Sequence, residues 1–153
     1  QVATTGENVK IARFEHISRD GAGVVESYVH TGAKVAVLLS LSRASDEACD
    51  EARLLAKDLC MHVAATNPIC VSREDVSADL VAKEKEIAEA QAEGKPPQAV
   101  ENIVAGKLDK FFATNCLLEQ SFVKNPDQTI SELIEAFDSG AKVNGFARYQ
   151  IGE

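Results

Sequence analysis

Residues 24–41 have the sequence VVESYVHTGAKVAVLLSL, and the pattern in this stretch decides the fold. Two runs rich in β-branched and other apolar residues, 24–30 and 35–41, flank the tetrapeptide TGAK at 31–34. Apolar runs of this length favour strands, and a short loop that contains glycine is typical of a tight connection between them. The sequence therefore predicts a β-hairpin with antiparallel strands.

A helix is predicted directly after this hairpin. Ser45 is a favoured N-cap residue, and Asp46 and Glu47 suit the positive end of the helix dipole. Pro68 after Asn67 ends the pattern, because proline lacks the amide hydrogen that a helix needs. Between these limits apolar residues recur at helical spacing: Ala48, Ala52, Leu55, Leu59 and Val63.

Two further helices are predicted as an antiparallel helical hairpin. Charged and alanine-rich sequence over 76–93 is interrupted by GKPP at 94–97 and continues as helix over about 98–113. Glycine and proline in the interruption end one helix and begin the next. Each helix carries only a thin apolar stripe, which suits a hairpin that protrudes from the core.

The two ends of the chain carry the remaining strand signals. Residues 9–17 alternate in polarity, which predicts a half-buried strand, and residues 143–151 predict a last strand. Thr129 and Glu132 form a capping box that begins a helix ending at Gly140, and the sequence just before this box is irregular.

These elements together predict an α+β fold. A small antiparallel sheet of about three or four strands packs with helices, and the antiparallel helical hairpin protrudes from it. We predict a core subdomain made of residues 1–76 and 114–153, with the helical hairpin inserted as residues 77–113.

Composition limits the possible functions. Acidic residues outnumber basic ones, 24 to 16, and the net charge is −8, the opposite of the balance typical of proteins that bind nucleic acid. The longest apolar run, near 35–39, is far too short to span a bilayer, so we expect no membrane partner. No C-x-x-C pair occurs among Cys49, Cys60, Cys70 and Cys116, which favours free thiols in a reducing compartment.

Catalytic motifs are missing from the sequence. It has no phosphate-binding loop, nucleophile elbow or zinc-binding helix motif, so an enzyme is disfavoured and no cofactor or metal is expected. Cys60 and His62 lie two residues apart on the predicted helix and so point in different directions. We interpret Cys60 as a core residue and His62 as a packed or helix-capping histidine. A Cys/His hydrolase stays open only if Cys60 converges with His62 or His30.

Two loop positions are better candidates for function. His30 ends a predicted strand beside Gly32, where side chains are displayed to solvent, and a plain turn histidine fits this pattern equally well. Phe122 and Val123 form an apolar pair in an irregular segment before Pro126. Apolar loop residues either pack inward or are offered to a partner.

Short segments along the whole chain resemble one known family. They are TGENVKIAR at 5–13, SYVH at 27–30, MHVAA at 61–65, NP at 67–68, VSREDV at 71–76, KEKEI at 83–87, EGKP at 93–96, IVAGKL at 103–108, LLEQ at 117–120 and FARYQIGE at 146–153. In this order they resemble the carboxy-terminal half of bacterial and organellar elongation factor Ts. The matches cover nearly the whole chain.

The resemblance implies a guanine-nucleotide exchange factor that binds elongation factor Tu during protein synthesis, in the bacterial cytoplasm or in an organelle matrix or stroma. It implies that this half docks on the third domain of Tu and takes part in dimerisation, which also allows a homodimer. The family's Thr-Asp-Phe-Val segment, which acts near the nucleotide, does not occur within residues 1–153. Carried over residue by residue, the Tu-binding positions are Thr5, Gly6, His30, Val123 and Lys124.

A different class of function stays open beside this one. The chain would then be a structural or interaction module that uses its helical hairpin only for assembly. Titration against elongation factor Tu separates the two hypotheses, because a pure assembly module would not bind Tu.

Overall fold

The fold is α+β in the computed structural model, which describes residues 2–8, 11, 13–19, 21–44 and 49–152. The helices are α1 (Val2–Thr5), α2 (Cys49–Thr66), α3 (Ala78–Gln91), α4 (Pro97–Asn115) and α5 (Ile130–Phe137). The strands are β1 (Gly23–Val29), β2 (Val35–Ser42), β3 (Ser121–Phe122), β4 (Asn125–Thr129) and β5 (Lys142–Gln150). Two single 3₁₀ turns, Arg73–Asp75 and Leu117–Glu119, flank the α3–α4 pair in sequence.

The main sheet is antiparallel, with strand order β1-β2-β5. The predicted β-hairpin is confirmed: β1 and β2 pair directly, with Tyr28 opposite Val37. Gly32 at φ 86° and Ala33 at φ 52° turn the chain between the two strands. The predicted last strand is also confirmed, as β5, which pairs with β2 on its other side.

The core lies between this sheet and α2. Alternate residues of β2, among them Leu39 and Leu41, are fully buried and belong to one apolar cluster with the inner face of α2. The helical spacing read from the sequence is confirmed, because the α2 members of this cluster are Ala52, Leu55, Ala56, Leu59, Cys60 and Val63. Burying one leucine side chain contributes about 1.5–3 kcal/mol, so this layer supplies much of the stability.

The C-terminal end of α2 agrees with the prediction. Asn67 adopts φ 49°, and with Pro68 it ends the helix as predicted. The predicted cap at Ser45 and the first turn at 46–48 lie outside the described residues.

The predicted helical hairpin is confirmed as α3 and α4, which pack on each other. Ser77 caps α3 by accepting a hydrogen bond from the Leu80 amide, and Pro97 stands at the first position of α4. The buried side chains of this pair are few and mostly small: Ala88, Ala92 and Val104. Both helices therefore keep most of their surface in contact with solvent.

The strand predicted over 9–17 is wrong for the described part of that stretch. Residues 11 and 13–17 form no strand, and Ile11 is 88% exposed and Phe14 85% exposed. Alternation alone does not make a strand, since a strand also needs a neighbour that satisfies its backbone hydrogen bonds. The guanidinium of Arg13 instead lies 5.1 Å from the ring centre of Tyr149.

The segment before α5 is more regular than the sequence indicated. β3 and β4 pair in a short antiparallel ladder, with Ser121 opposite Thr129. The capping box of Thr129 and Glu132 is confirmed at the start of α5, and the helix ends at Phe137, three positions before the expected Gly140. In the portion of the chain that the structure describes, no helix combines the length and the apolar character that crossing a membrane requires.

Candidate partner-binding surface

His30 follows β1 directly, and its side chain is exposed. Its amide donates to the Val35 carbonyl at 2.9 Å, and its carbonyl accepts from the Ala33 amide at 2.8 Å, which closes the turn between β1 and β2. The Tyr28 hydroxyl lies 2.9 Å from His30 Nδ1, within hydrogen-bond distance. The imidazole is thus displayed to solvent and held in place by a neighbour on its own strand.

A shallow groove of about 420 Å³ lies beside His30. Its walls come from the end of the sheet and from the C-terminal half of α2: Tyr28, His30, Val35, Met61, Ala64, Ala65, Arg148 and Gln150. Apolar side chains from α2 and polar ones from the sheet meet here, a mixture that is typical of surfaces that receive a partner side chain.

Val123 and Lys124 form the two-residue turn between β3 and β4. Phe122, just before the turn, is buried in the main core, whereas Val123 is 45% exposed. The apolar pair seen in the sequence therefore divides: Phe122 packs inward, and Val123 is presented to solvent.

His62 holds this turn against α2. It is fully buried, its Nε2 lies 2.9 Å from Gln120 Oε1, and its Nδ1 accepts from the Val123 amide at 3.3 Å. Because Nδ1 accepts, the proton lies on Nε2 and is donated to Gln120. Gln120 Oε1 also accepts from Thr66 Oγ1 at 2.9 Å, and its Nε2 donates to the Thr114 carbonyl at 2.6 Å.

Burial lowers the pKa of His62 below its ordinary value, and the hydrogen bond to Gln120 opposes this effect without cancelling it. The imidazole is therefore neutral near pH 7, as its role as acceptor for the Val123 amide requires. His62 is thus a packed histidine, as one of the two interpretations predicted, and its side chain holds the Val123 turn.

Lys124 contacts α2 as well. Its ammonium lies 2.7 Å from Asp58 Oδ1, in a pair whose two side chains are both partly exposed. Such a pair contributes less than about 1 kcal/mol to stability, but it fixes where the lysine points. The His30 groove, the Val123 amide and Lys124 are thus all attached to residues 58–65 of one helix.

Thr5 and Gly6 lie on a separate N-terminal turn. Thr5 ends α1, Gly6 follows at φ 70°, and both are exposed. The hydroxyl of Thr5 accepts from the Glu7 amide at 3.3 Å, a contact within the turn itself. The left-handed conformation explains why glycine occupies position 6, since a side chain would be strained there.

The Cys/His hydrolase is not supported by this geometry. Cys60 is buried with its Sγ 3.5 Å from the Glu26 carbonyl, while His62 faces Gln120. Burial, with a smaller contribution from Glu26, raises the pKa of Cys60 to about 12, so its thiol is not ionised at neutral pH. Within residues 2–8, 11, 13–19, 21–44 and 49–152, no three His, Cys, Asp or Glu side chains are grouped so as to hold a metal ion.

Two arrangements had no signal in the sequence. The Val123 amide meets a histidine 61 positions away, and Cys70 Sγ lies 3.6 Å from Cys116 Sγ across 46 positions. Residues that far apart in the chain become neighbours only through the fold, so no local motif could have indicated either contact.

The sequence also matches known proteins. A family model described as Elongation factor TS matches residues 1–153. The elongation factor Ts of Halothermothrix orenii is 42% identical over 154 residues, covering 99% of this chain and 49% of that protein. The elongation factor Ts of Hahella chejuensis is 44% identical, covering 99% of this chain and 50% of that protein.

A third relative extends this agreement. The elongation factor Ts of Nitratiruptor is 40% identical over 159 residues, covering 100% of this chain and 52% of that protein. The chain spans about half the length of the curated relatives it matches. From the family match over its whole length and these identities, we conclude that the chain belongs to the elongation factor Ts family.

Proposed function

We propose that this chain docks on the third domain of elongation factor Tu and contributes in this way to guanine-nucleotide exchange in translation. The observation that supports the proposal most strongly is that His30, Val123 and Lys124 are exposed on short turns that α2 and the sheet hold in place. Pre-positioned side chains lose little conformational entropy on binding, so their contacts contribute more fully to affinity.

Exchange requires differential binding. If Tu binds nucleotide and this protein in opposition, each weakens the other by the same factor. A surface that contacts only a domain of Tu remote from the nucleotide binds nucleotide-bound and nucleotide-free Tu equally. Such a surface adds affinity for Tu without weakening the binding of nucleotide. This chain would therefore supply docking energy and would not itself distort the nucleotide site.

The outer face of the main sheet is our candidate for the dimerisation contact. Val29 on this face is 61% exposed, and Val29, Ala36 and Tyr149 stand side by side across the three strands. Small and apolar side chains in cross-strand register form a flat surface on which a second sheet can pack. Sedimentation equilibrium tests the contact, because Val29→Lys should move a homodimer towards monomer without unfolding it.

The cellular setting follows from the same proposal. The chain would act in the bacterial cytoplasm or in an organelle matrix or stroma, as a regulator of a GTPase and not as an enzyme with its own chemistry. Tu would be its direct partner, with no cofactor, nucleic acid or membrane involved.

Calorimetric titration of Tu with the His30→Ala variant tests the docking surface. We expect the affinity to fall by about 1–2 kcal/mol, roughly a 5- to 30-fold rise in Kd, because truncating a central interface side chain costs that much. His16→Ala is the matched control, since His16 is also an exposed histidine but lies outside this surface. Equal affinities for the folded His30→Ala variant and the unmutated chain would overturn the assignment of His30.

A separate experiment tests the proposal that this chain binds Tu without driving nucleotide release. In a stopped-flow experiment with labelled GDP, saturating amounts of this chain should bind Tu yet barely accelerate GDP release. Release as fast as with a full-length relative would show that the docking surface itself drives exchange. No binding to Tu at all would favour the alternative function, an assembly module that acts through α3 and α4.

A further inference from the structure

Cys70 and Cys116 face each other at the base of the helical hairpin. Their sulfur atoms lie 3.6 Å apart, although 46 positions separate the two residues in the chain. Cys116 is fully buried and Cys70 partly exposed, and both are free thiols. A disulfide requires a separation of about 2.0 Å between the sulfurs, so a modest side-chain rotation of each cysteine would bring them to bonding distance.

The backbone around the two cysteines is already paired. Cys70 and Cys116 form a parallel bridge, in which the Ile69 amide donates to Asn115 and the Leu117 amide donates to Cys70. The Leu118 amide continues the pairing to Val71 at 3.0 Å. This ladder holds the two chain segments side by side, so the cysteines meet without any rearrangement of the fold.

We propose that Cys70 and Cys116 are a redox modification site, at which a reversible disulfide links the two chain segments that flank the helical hairpin. A small-molecule disulfide such as oxidised glutathione is the oxidant. The Cys70 thiolate attacks one glutathione sulfur, forms a mixed disulfide and expels one glutathione thiolate. Cys116, after losing its proton, attacks the Cys70 sulfur and expels the second. Two protein thiols and one glutathione disulfide thus become one protein disulfide and two molecules of glutathione.

The order of attack follows from exposure. Cys70 is reachable from solvent and Cys116 is not, so the first exchange occurs at Cys70 and the second is intramolecular. Burial is the main cause that raises the thiol pKa of Cys70, and it raises that of Cys116 to about 12. The charged side chains facing the pair are Arg73, Asp75 and Glu119, and the two carboxylates add to the upward shift. We therefore expect slow oxidation at neutral pH that accelerates as the pH rises.

The experiment is incubation of the folded chain with oxidised glutathione, followed by intact mass measurement and fragment analysis. Lys57 and Arg73 flank both Cys60 and Cys70, so trypsin alone leaves these two cysteines on one fragment. Cleavage after Met61, the only methionine, separates them. We expect loss of two hydrogens and a link between fragments 62–73 and 111–124. The midpoint of thermal unfolding should rise by roughly 5–10 °C, and reductant should reverse the rise.

Two variants make the result decisive. Cys60→Ala, the matched control, should still form the link, because Cys60 contacts the Glu26 carbonyl and takes no part in the pair. Cys70→Ser should lose both the link and the thermal shift, and as a change at a partly exposed residue it leaves the core intact. An unchanged mass of the unmutated chain, a link through Cys49 or Cys60, or a link that survives Cys70→Ser would each overturn the proposal.

Discussion

The α2–sheet core and the α3–α4 hairpin are both built from amphipathic elements, but burial stabilises them to very different degrees. In the core, large side chains such as Leu39, Leu41 and Leu59 are completely buried. In the hairpin, the buried residues are Ala88, Ala92 and Val104, and larger ones such as Ile87 stay half exposed. This difference indicates where a binding site can form, because a rigid core holds turns in fixed positions, whereas a thinly packed hairpin mainly extends the surface.

The largest expected effect on stability comes from truncating a buried side chain of the core. A buried side chain of the hairpin, truncated in a separate variant, gives the comparison. Leu59→Ala should lower the free energy of unfolding by about 2–5 kcal/mol, because it leaves a cavity in a fully enclosed site. Val104→Ala should cost about 1 kcal/mol, since it removes fewer atoms from a site beside solvent. Urea unfolding followed by circular dichroism measures both. Equal losses would show that the hairpin is packed as tightly as the core.

A smaller, pH-dependent effect should come from His62. Its pKa is lowered in the folded chain, so the unfolded chain binds more protons at acidic pH. The stability that this residue contributes is therefore fully present above its unfolded pKa of about 6.5 and is lost as the pH falls below that value towards the folded pKa. Urea midpoints measured between neutral and mildly acidic pH should show the decline.

The control for this effect is His62→Gln, which keeps a donor and an acceptor but cannot titrate. Its stability should vary less over the same pH interval than that of the unmutated chain. An identical pH dependence in the two proteins would contradict the assignment to His62. The same variant should also weaken Tu binding at neutral pH if the Val123 turn needs its anchor.

The smallest effect on the core is expected from removing the hairpin. We predict that replacing residues 77–113 by a short Gly-Ser linker leaves residues 1–76 and 114–153 folded, because α3 and α4 bury mainly each other. The deletion removes the Arg73–Asp109 ion pair and the contact of Arg73 with the Phe112 ring, exposed interactions worth about 1 kcal/mol in all. Dispersed NMR signals from the shortened chain would be expected, and global unfolding would show that the hairpin is part of the core.

Local signals account for what could be predicted of the fold. The hairpin of β1 and β2, the spacing of Leu55, Leu59 and Val63, and the capping box at Thr129 each depend on residues only a few positions apart. The exposure of His30 was predictable for the same reason, because a strand end beside Gly32 displays its side chain. The short ladder of β3 and β4 was not, since Ser121 and Thr129 have little apolar alternation around them.

Most of the helices and strands, their order and the family follow from the sequence, because periodicity, caps and turn residues act between near neighbours. Contacts between elements that are far apart in the chain became visible only in the folded structure. It left residues 13–17 outside the sheet, where their alternation has no partner strand, and it brought His62 under the Val123 turn. It also placed Cys70 against Cys116. Each outcome depends on packing between residues far apart in the chain, and such contacts form only when the core closes.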